Sequence, residues 1–410
     1  MYLRFAWRYF RSPKSTHAIQ IISWITTLVI AFATCCQLLV LSVYNGFEDL
    51  VKSMYSSFYA EMKIVPRDGK YLELDETMFK KIESNSWVQS ASKVLEEKAL
   101  LQNGQQQSVI QLKGVDKTNA IVTGVSKHMR EGSYDLGDVE SPGIVVGSGV
   151  RQATGILLDP AFGPDKLTLY LSKPGIQSNN PLASLSQGAV TARGCFAIQQ
   201  EFDNSYALTN IDFVREQTGI LPNLYSSIEI KLKDPSKEKQ ASEELEKLTA
   251  GKYTIQSRYQ QNVSLYKTLQ TEKWVIYAVL TLILIVAAFN LISALTMLIL
   301  EKKNDIGILM SMGATESQIK RIFLTEGMLL GLIGTAVGMG VAWMLGLAQQ
   351  HYHLIPIQGN SFMIDYFPVK FIWIDAAVIA CTSGCIIGLA AWLPARAAAR
   401  SRSFLNVNNQ

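Results

Sequence analysis

Cysteine is scarce and badly placed for cross-linking. Only five of the 410 residues are cysteine, and Cys35, Cys36, Cys381 and Cys385 all fall inside apolar runs. The long polar stretch between the first two runs keeps Cys195 alone, so it cannot hold an internal disulfide. Cys381-x-x-x-Cys385 reads as two small apolar residues on one helix face, and no zinc-binding spacing is present. Histidine is as rare: His17, His128, His351 and His353 have no metal partner at ligand spacing. No G-x-x-x-x-G-K-[ST] occurs, so the chain cannot cradle a nucleoside triphosphate by that loop. No Ser or Cys has the surroundings of an activated nucleophile. No basic stripe is interleaved with aromatics, which leaves nucleic acid out as a partner. The chain therefore reads as non-catalytic, with no metal and no cofactor of its own.

Long apolar runs are what it does have. Four are long enough to cross a bilayer, which takes about 20 apolar residues: 18–43, 274–300, 322–347 and 371–393. Residues 43–273 carry 26 basic and 28 acidic side chains, the balance of a solvated domain. The basic excess sits instead at the ends and in one short loop. Arg4, Arg8, Arg11 and Lys14 precede the first span, Lys302, Lys303, Lys320 and Arg321 lie between the second and third, and Arg396, Arg400 and Arg402 follow the fourth. Positive flanks stay cytosolic. With four spans all three can do so, which puts both termini in the cytosol and residues 44–273 on the other side. The first span is too long, and lacks a small-residue cleavage site, to be a signal peptide. Before it, Tyr2, Phe5, Ala6, Tyr9 and Phe10 recur at helical spacing opposite the arginines, so residues 1–17 are expected to form an amphipathic helix lying on the membrane.

The region 44–273 reads as one α/β domain. Strands are expected at Glu61–Val65, Ser108–Leu112, Gly143–Val146, Lys166–Leu171, Val190–Ile198, Ser227–Leu232 and Tyr253–Ser257, with helices at Asp75–Ser84, Asp212–Thr218 and Ser236–Leu248. Ser236, with Pro235 before it, is the expected cap of the last helix. The loop Ser172–Gln187 is long, proline-containing and free of acidic residues, which suits either a mobile hairpin tip or a binding element.

The most informative segment is the 301–321 loop. Ile306, Leu309 and Met310 sit at i, i+3 and i+4, a single apolar face on a helix of little more than two turns. Gly313 ends it, and Thr315-Glu316-Ser317-Gln318 fits a capping box that starts a second helix running into the third span. Such an elbow exposes apolar residues that lipid does not cover, the mark of a protein interface; the alternative is that it folds back on the neighbouring spans. The third span is rich in glycine. Gly327-x-x-x-Gly331 and Gly334-x-x-x-Gly338 permit close helix approach, and Gly384 and Gly388 repeat the pattern in the fourth. Glu326, a turn inside the third span, needs a partner or a hydrated niche, and Asn290 poses the same question in the second. Residues 348–370 form a short loop on the far side, and 394–410 a cytosolic tail.

Several stretches together resemble a known family. TEKW at Thr271–Trp274, AAFNLISALTMLILEKKNDIGILMSMGA at Ala287–Ala314, the glycine-rich third span and LPARAAAR at Leu393–Arg400 are similar to the FtsX/MacB-like permeases that work with ATP-binding cassette subunits. Within that family the stretch Phe5–Glu48, KGVD at Lys113–Asp116, IVVGSGVRQATGI at Ile144–Ile156 and RGCF at Arg193–Phe196 look like the lipoprotein-releasing LolC/LolE type. Two departures stand out: SRSFLNVNN replaces the usual acidic-proline ending, and Asp159–Pro164 is longer than usual.

The resemblance implies four transmembrane helices with a large MacB-like periplasmic α/β domain between the first two, in a bacterial inner membrane. It implies a permease that pairs with a second permease subunit, identical or homologous, and with a cytosolic ABC ATPase dimer that binds the ATP and magnesium. Asp305, Ile306, Gly307, Ile308, Leu309, Met310 and Gly313 would form the ATPase-coupling element. Pro174, Asn180, Pro181 and Leu182 would form a loop that receives a periplasmic lipoprotein carrier, the cargo being lipoprotein drawn from membrane lipid. Two other functions fit the family: MacB-like efflux, where the ATPase is commonly fused to the permease, and FtsX-like mechanical control of a periplasmic hydrolase, where the outer domain is typically smaller.

Overall fold

The computed structural model describes residues 17–158, 163, 165–173, 185–356 and 366–399. The expected surface helix at 1–17 and the tail beyond 399 thus lie almost wholly outside the described residues. The chain divides into two compact units. One comprises Met1–Leu50, Lys267–Gln358 and Ile364–Gln410, the other Val51–Tyr266 with Gly359–Met363.

The first unit is built from four long helices, His17–Phe58, Val263–Glu301, Glu316–Tyr352 and Trp373–Ala399. Each contains a stretch long and apolar enough to cross a membrane. The first does not stop near Val43, where its apolar run ends, but continues to Phe58. Nothing in Tyr44–Phe58 breaks a helix apart from Gly46, and that glycine is needed for contact, since a Cβ there would lie 2.9 Å from the Val369 amide nitrogen. The helices share an apolar core of Ile30, Leu284, Leu291, Leu330, Ile387 and their neighbours. At one end polar groups join three of them. Asp375 accepts hydrogen bonds from Asn45 at 2.7 Å and Lys273 at 2.9 Å.

The second unit is a mixed sheet with helices packed on it. Its strands are β1 (Met62–Pro66), β2 (Leu72–Glu73), β3 (Val88–Asn103), β4 (Gln106–Val115), β5 (Met129–Gly132), β6 (Gly143–Gly147), β7 (Lys166–Ser172), β8 (Leu185–Phe196), β9 (Tyr206–Asn210), β10 (Leu224–Tyr225), β11 (Ser227–Leu232) and β12 (Tyr253–Ser257). The main sheet runs β12-β1-β11-β3-β4-β9-β6-β8-β5, with β7 bridging β3 and β8, while β10 and β2 form a separate ribbon. Among the described residues only β4/β9 and β6/β8 are parallel. Helices Glu76–Glu83, Ile211–Thr218 and Glu238–Leu248 bury Phe79, Ile82, Phe213, Val214, Ala241 and Leu245.

Three local expectations are corrected. β3, the longest strand, is missing from the sequence reading because VQSASKVLEEKALLQN lacks strict alternation. Much of it is covered on both faces, so Ser92 and Glu97 are buried beside Val94 and Leu95. β9 is also missing, its YALTN being short and buried at three central positions. Ser236 does not cap Glu238–Leu248, whose N-cap is Lys237 without a side-chain bond; the side-chain cap is Asp234, on the 3-10 turn Pro235–Lys237 that leads into the helix. The Asp234 carboxylate accepts from the Ser236 amide, and Pro235 occupies the first turn, where its missing N–H costs nothing.

Buried charge runs through the middle of this sheet. Lys113 on β4 and Glu229 on β11 pair at 2.6 Å, both almost fully buried, and Asn119 donates to the other Glu229 oxygen at 3.2 Å. Lys63 and Glu96 pair alongside at 3.3 Å. Burial alone would raise the Glu96 carboxyl, but Lys63 and Lys113 more than offset it and hold it below its ordinary value. Phe58, at the end of the first long helix, stacks on Phe202 with ring centroids 4.2 Å apart, and the Lys113 ammonium lies 5.2 Å from its ring centre. Cys195 is buried, and burial pushes its thiol up to about 11, so it behaves as a small core residue.

Candidate functional site

The elbow is a helix at Lys303–Ser311 joined by a tight turn to the third long helix. Its end follows directly from sequence. Gly313 takes φ +95°, a left-handed conformation that costs a residue without Cβ little. The Gly313 amide donates to Met310 at 3.1 Å and the Ala314 amide to Leu309 at 3.0 Å, the paired reverse bonds of a Schellman motif. Thr315 then starts the next helix with the capping box its spacing predicts. Its hydroxyl accepts from the Gln318 amide at 3.4 Å, and the Gln318 side chain accepts from the Thr315 amide at 2.8 Å. Every bond that shapes this corner lies within ten residues.

The apolar face points the other way from the exposed interface considered in sequence. Ile306 is buried, and Leu309, Met310 and Ala314 pack with it against Leu298 and Ile299 of the second long helix, Ile319 and Phe323 of the third, and Ala395 and Ala398 of the fourth. The elbow is thus clamped onto the ends of three helices. What it exposes is Ile308, 60 % accessible, and Met312, 80 % accessible, one turn apart on the opposite side. Asp305 is engaged by Lys302 at 3.2 Å. Gly307 is half-buried, and a Cβ on it or on Gly313 would meet nothing.

The third long helix connects this corner to the rest of the bundle. Gly327 faces the fourth and second helices, where a Cβ would stand 2.6 Å from that of Ala391 and 2.7 Å from Leu295 Cδ1. Gly331 lies under the Ile387 side chain. Gly334 faces the first helix, 2.8 Å from the Thr27 carbonyl oxygen, and Gly338 lies against Ala31 and Thr34 of the same helix. One pair therefore seats the fourth helix and the other the first. Gly384 and Gly388 do not share this role; a Cβ on either would enter open space. Asn290 is exposed on the second helix.

Pro174, Asn180, Pro181 and Leu182 lie outside the described residues. Their stem is described: β7 and β8 remain paired up to Ser172 opposite Leu185, which holds the two ends of the loop side by side. Glu326 is where sequence reasoning had a signal without an environment. It is 4 % accessible, one oxygen has no hydrogen-bond partner among the described residues, and it lines a small cavity beneath the elbow.

Residues 277–402 match the FtsX-like permease C-terminal family. The chain is 25 % identical over 419 aligned positions to the lipoprotein-releasing system transmembrane protein LolE of Haemophilus influenzae, covering 96 % of each chain. It is 26 % identical to LolC of Neisseria meningitidis over the same shares. A shorter match, 33 % identical, joins 33 % of this chain to 19 % of the macrolide export ATP-binding/permease protein MacB of Vibrio parahaemolyticus. Among solved structures, the periplasmic region of MacB from Actinobacillus actinomycetemcomitans aligns with a TM-score of 0.36 at 15 % identity, over 51 % of this chain and 92 % of that one. The family match on residues 277–402 and the end-to-end similarity to LolE and LolC agree: the chain carries an FtsX-like permease domain and is similar along its length to lipoprotein-releasing transmembrane proteins.

Proposed function

We propose that this chain is the non-catalytic permease subunit of an ABC transporter that extracts lipoproteins from a bacterial inner membrane. The observation that carries the reading is similarity over 96 % of both chains to proteins named as lipoprotein-releasing. The basic flanks put both termini and the elbow in the cytosol and the α/β unit in the periplasm. A separate ATPase dimer, which binds the ATP and magnesium, docks on the elbow. Its contact surface includes Ile308 and Met312, beside Asp305, Gly307 and Gly313 of the coupling segment, while Ile306, Leu309 and Met310 transmit the motion inward to three helices. The exposed amide of Asn290, in the middle of an apolar run, supports a second permease subunit covering that face. The loop with Pro174, Asn180, Pro181 and Leu182 receives the periplasmic carrier.

Energy explains why a machine is needed. Each acyl CH₂ leaving the bilayer costs about 0.8 kcal/mol, so a multiply acylated anchor does not leave unaided at a useful rate. Depleting the protein in its native cell tests the reading: lipoproteins destined elsewhere should accumulate in the inner membrane, and an unchanged distribution would overturn it. MacB-like efflux is the second reading, favoured by the shorter match to MacB. It expects loss of drug tolerance on depletion with lipoprotein sorting intact.

A further inference from the structure

Beneath the elbow lies a cavity of about 70 Å³ lined by Lys302, Asp305, Ile306, Leu309, Ile319, Ile322, Phe323 and Glu326. It has room for about two waters at roughly 30 Å³ each. Its polar lining comes from three side chains. Lys302 and Asp305, at the start of the elbow, pair with each other at 3.2 Å. Glu326 enters from the third long helix, 4 % accessible, with Oε2 lacking a partner among the described residues. A buried carboxyl left in this way is costly unless something supplies a donor. The cation that shares its cavity is Lys302, whose long flexible stem lets the ammonium reposition without moving the backbone.

We infer that Glu326 is the second seat of Lys302, and that displacement of the elbow passes the ammonium from Asp305 to Glu326. This rests on the reading of the elbow as the element an ATPase moves. In the structure as it stands the ammonium is held by Asp305, within the elbow's own first turn. When the elbow tilts, Lys302 and Asp305 travel with it, whereas Glu326 stays on the third helix, which the packing of Gly327 against Ala391 and Leu295 holds, so the tilt changes the reach from the ammonium to Glu326. Exchange of one carboxylate for the other converts a motion of the short helix into a new ion pair on the long one. The two arrangements are discrete, which is what a coupling element requires. The apolar remainder of the cavity, Ile306, Leu309, Ile319, Ile322 and Phe323, shields the Glu326 seat, while Asp305 stays about half exposed.

Two measurements test this, the first without any partner. In the detergent-solubilised full-length chain, Asp305→Asn should lower Tm only slightly, because Lys302 takes the second seat, and Glu326→Gln should do likewise. The double variant should lose more than the sum of the two. The same pair of changes in a Lys302→Gln background should be additive. Additive losses with Lys302 present would overturn the exchange. In the complex with the ATP-binding subunit, Glu326→Gln should leave binding of that subunit unchanged and reduce substrate-stimulated ATP turnover at least fivefold; unchanged turnover would also overturn it. Failure of the wild-type chain to bind an ATPase would overturn the coupling reading itself, while the Tm cycle would still decide the exchange.

Discussion

Ile308 and Met312 offer the sharpest test of how the elbow works, because the structure separates them from the apolar residues beside them. Full burial of such a side chain stabilises by roughly 1.5–3 kcal/mol. With 60 % of Ile308 and 80 % of Met312 still accessible, seating each in a partner would contribute roughly 1–2 kcal/mol. Truncating either to Ala should therefore weaken ATPase binding about 5- to 30-fold. Ile308→Asp with Met312→Asp should abolish it, since a carboxylate would have to be desolvated at the centre of the contact. The assay is titration of labelled ATPase onto the full-length permease in lipid nanodiscs, with Tm recorded in parallel. Ile306→Ala is the control. Ile306 is 5 % accessible and packed against three helices, so its truncation should cost about 2–5 kcal/mol of stability while the folded fraction binds normally. The reasoning is refuted if the double Asp variant binds like the wild type, or if Ile306→Ala weakens binding without lowering Tm.

The other predictions concern the framework. Gly334→Leu and Gly338→Leu should each destabilise the bundle by about 1–3 kcal/mol or prevent assembly, because a side chain there meets the backbone of the first helix, whereas Gly388→Ala should stay within about 0.5 kcal/mol of wild type; melting curves of the purified variants compare them. In the α/β unit, Lys113→Met leaves the buried Glu229 carboxylate without its 2.6 Å ion-pair partner, and should cost about 3–5 kcal/mol. Adding Glu229→Leu should recover much of that loss in the same unfolding experiment. The lowered pKa of Glu96 fixes a sign. The unfolded chain holds that proton more tightly, so its contribution is fully present above the unfolded value of about 4.3 and is lost as pH falls through the folded-state value. Glu96→Gln should flatten that acid limb of the stability curve.

What was legible in sequence was whatever depends on neighbours in the chain. The four apolar runs appear as helices because a run of about 20 apolar residues leaves the backbone no better way to satisfy itself in lipid. The elbow's turn and capping box were readable because Gly313, Thr315 and Gln318 act on groups within a few residues. The β3 strand was not readable. Its buried Ser92 and Glu97 are satisfied by Asp116, Lys70 and Tyr71, which arrive from other parts of the chain. The cap at Ser236 was not realised because the chain first forms a 3-10 turn, Pro235–Lys237, which Asp234 caps, and both Asp234 and Ser236 have capping chemistry.

The sequence by itself determined that this is a membrane protein with a solvated α/β insertion and a capped elbow, since composition, hydropathy and local capping are properties of the chain. Tertiary structure alone decided which way the elbow faces. Periodicity gave Ile306, Leu309 and Met310 a common face, but whether that face meets solvent or Phe323 and Ala395 depends on where three other helices end. The same holds for the glycines. Gly327, Gly331, Gly334, Gly338, Gly384 and Gly388 follow one spacing rule, yet only the first four are pressed against another helix. Spacing sets which residues share a face; packing sets what that face touches.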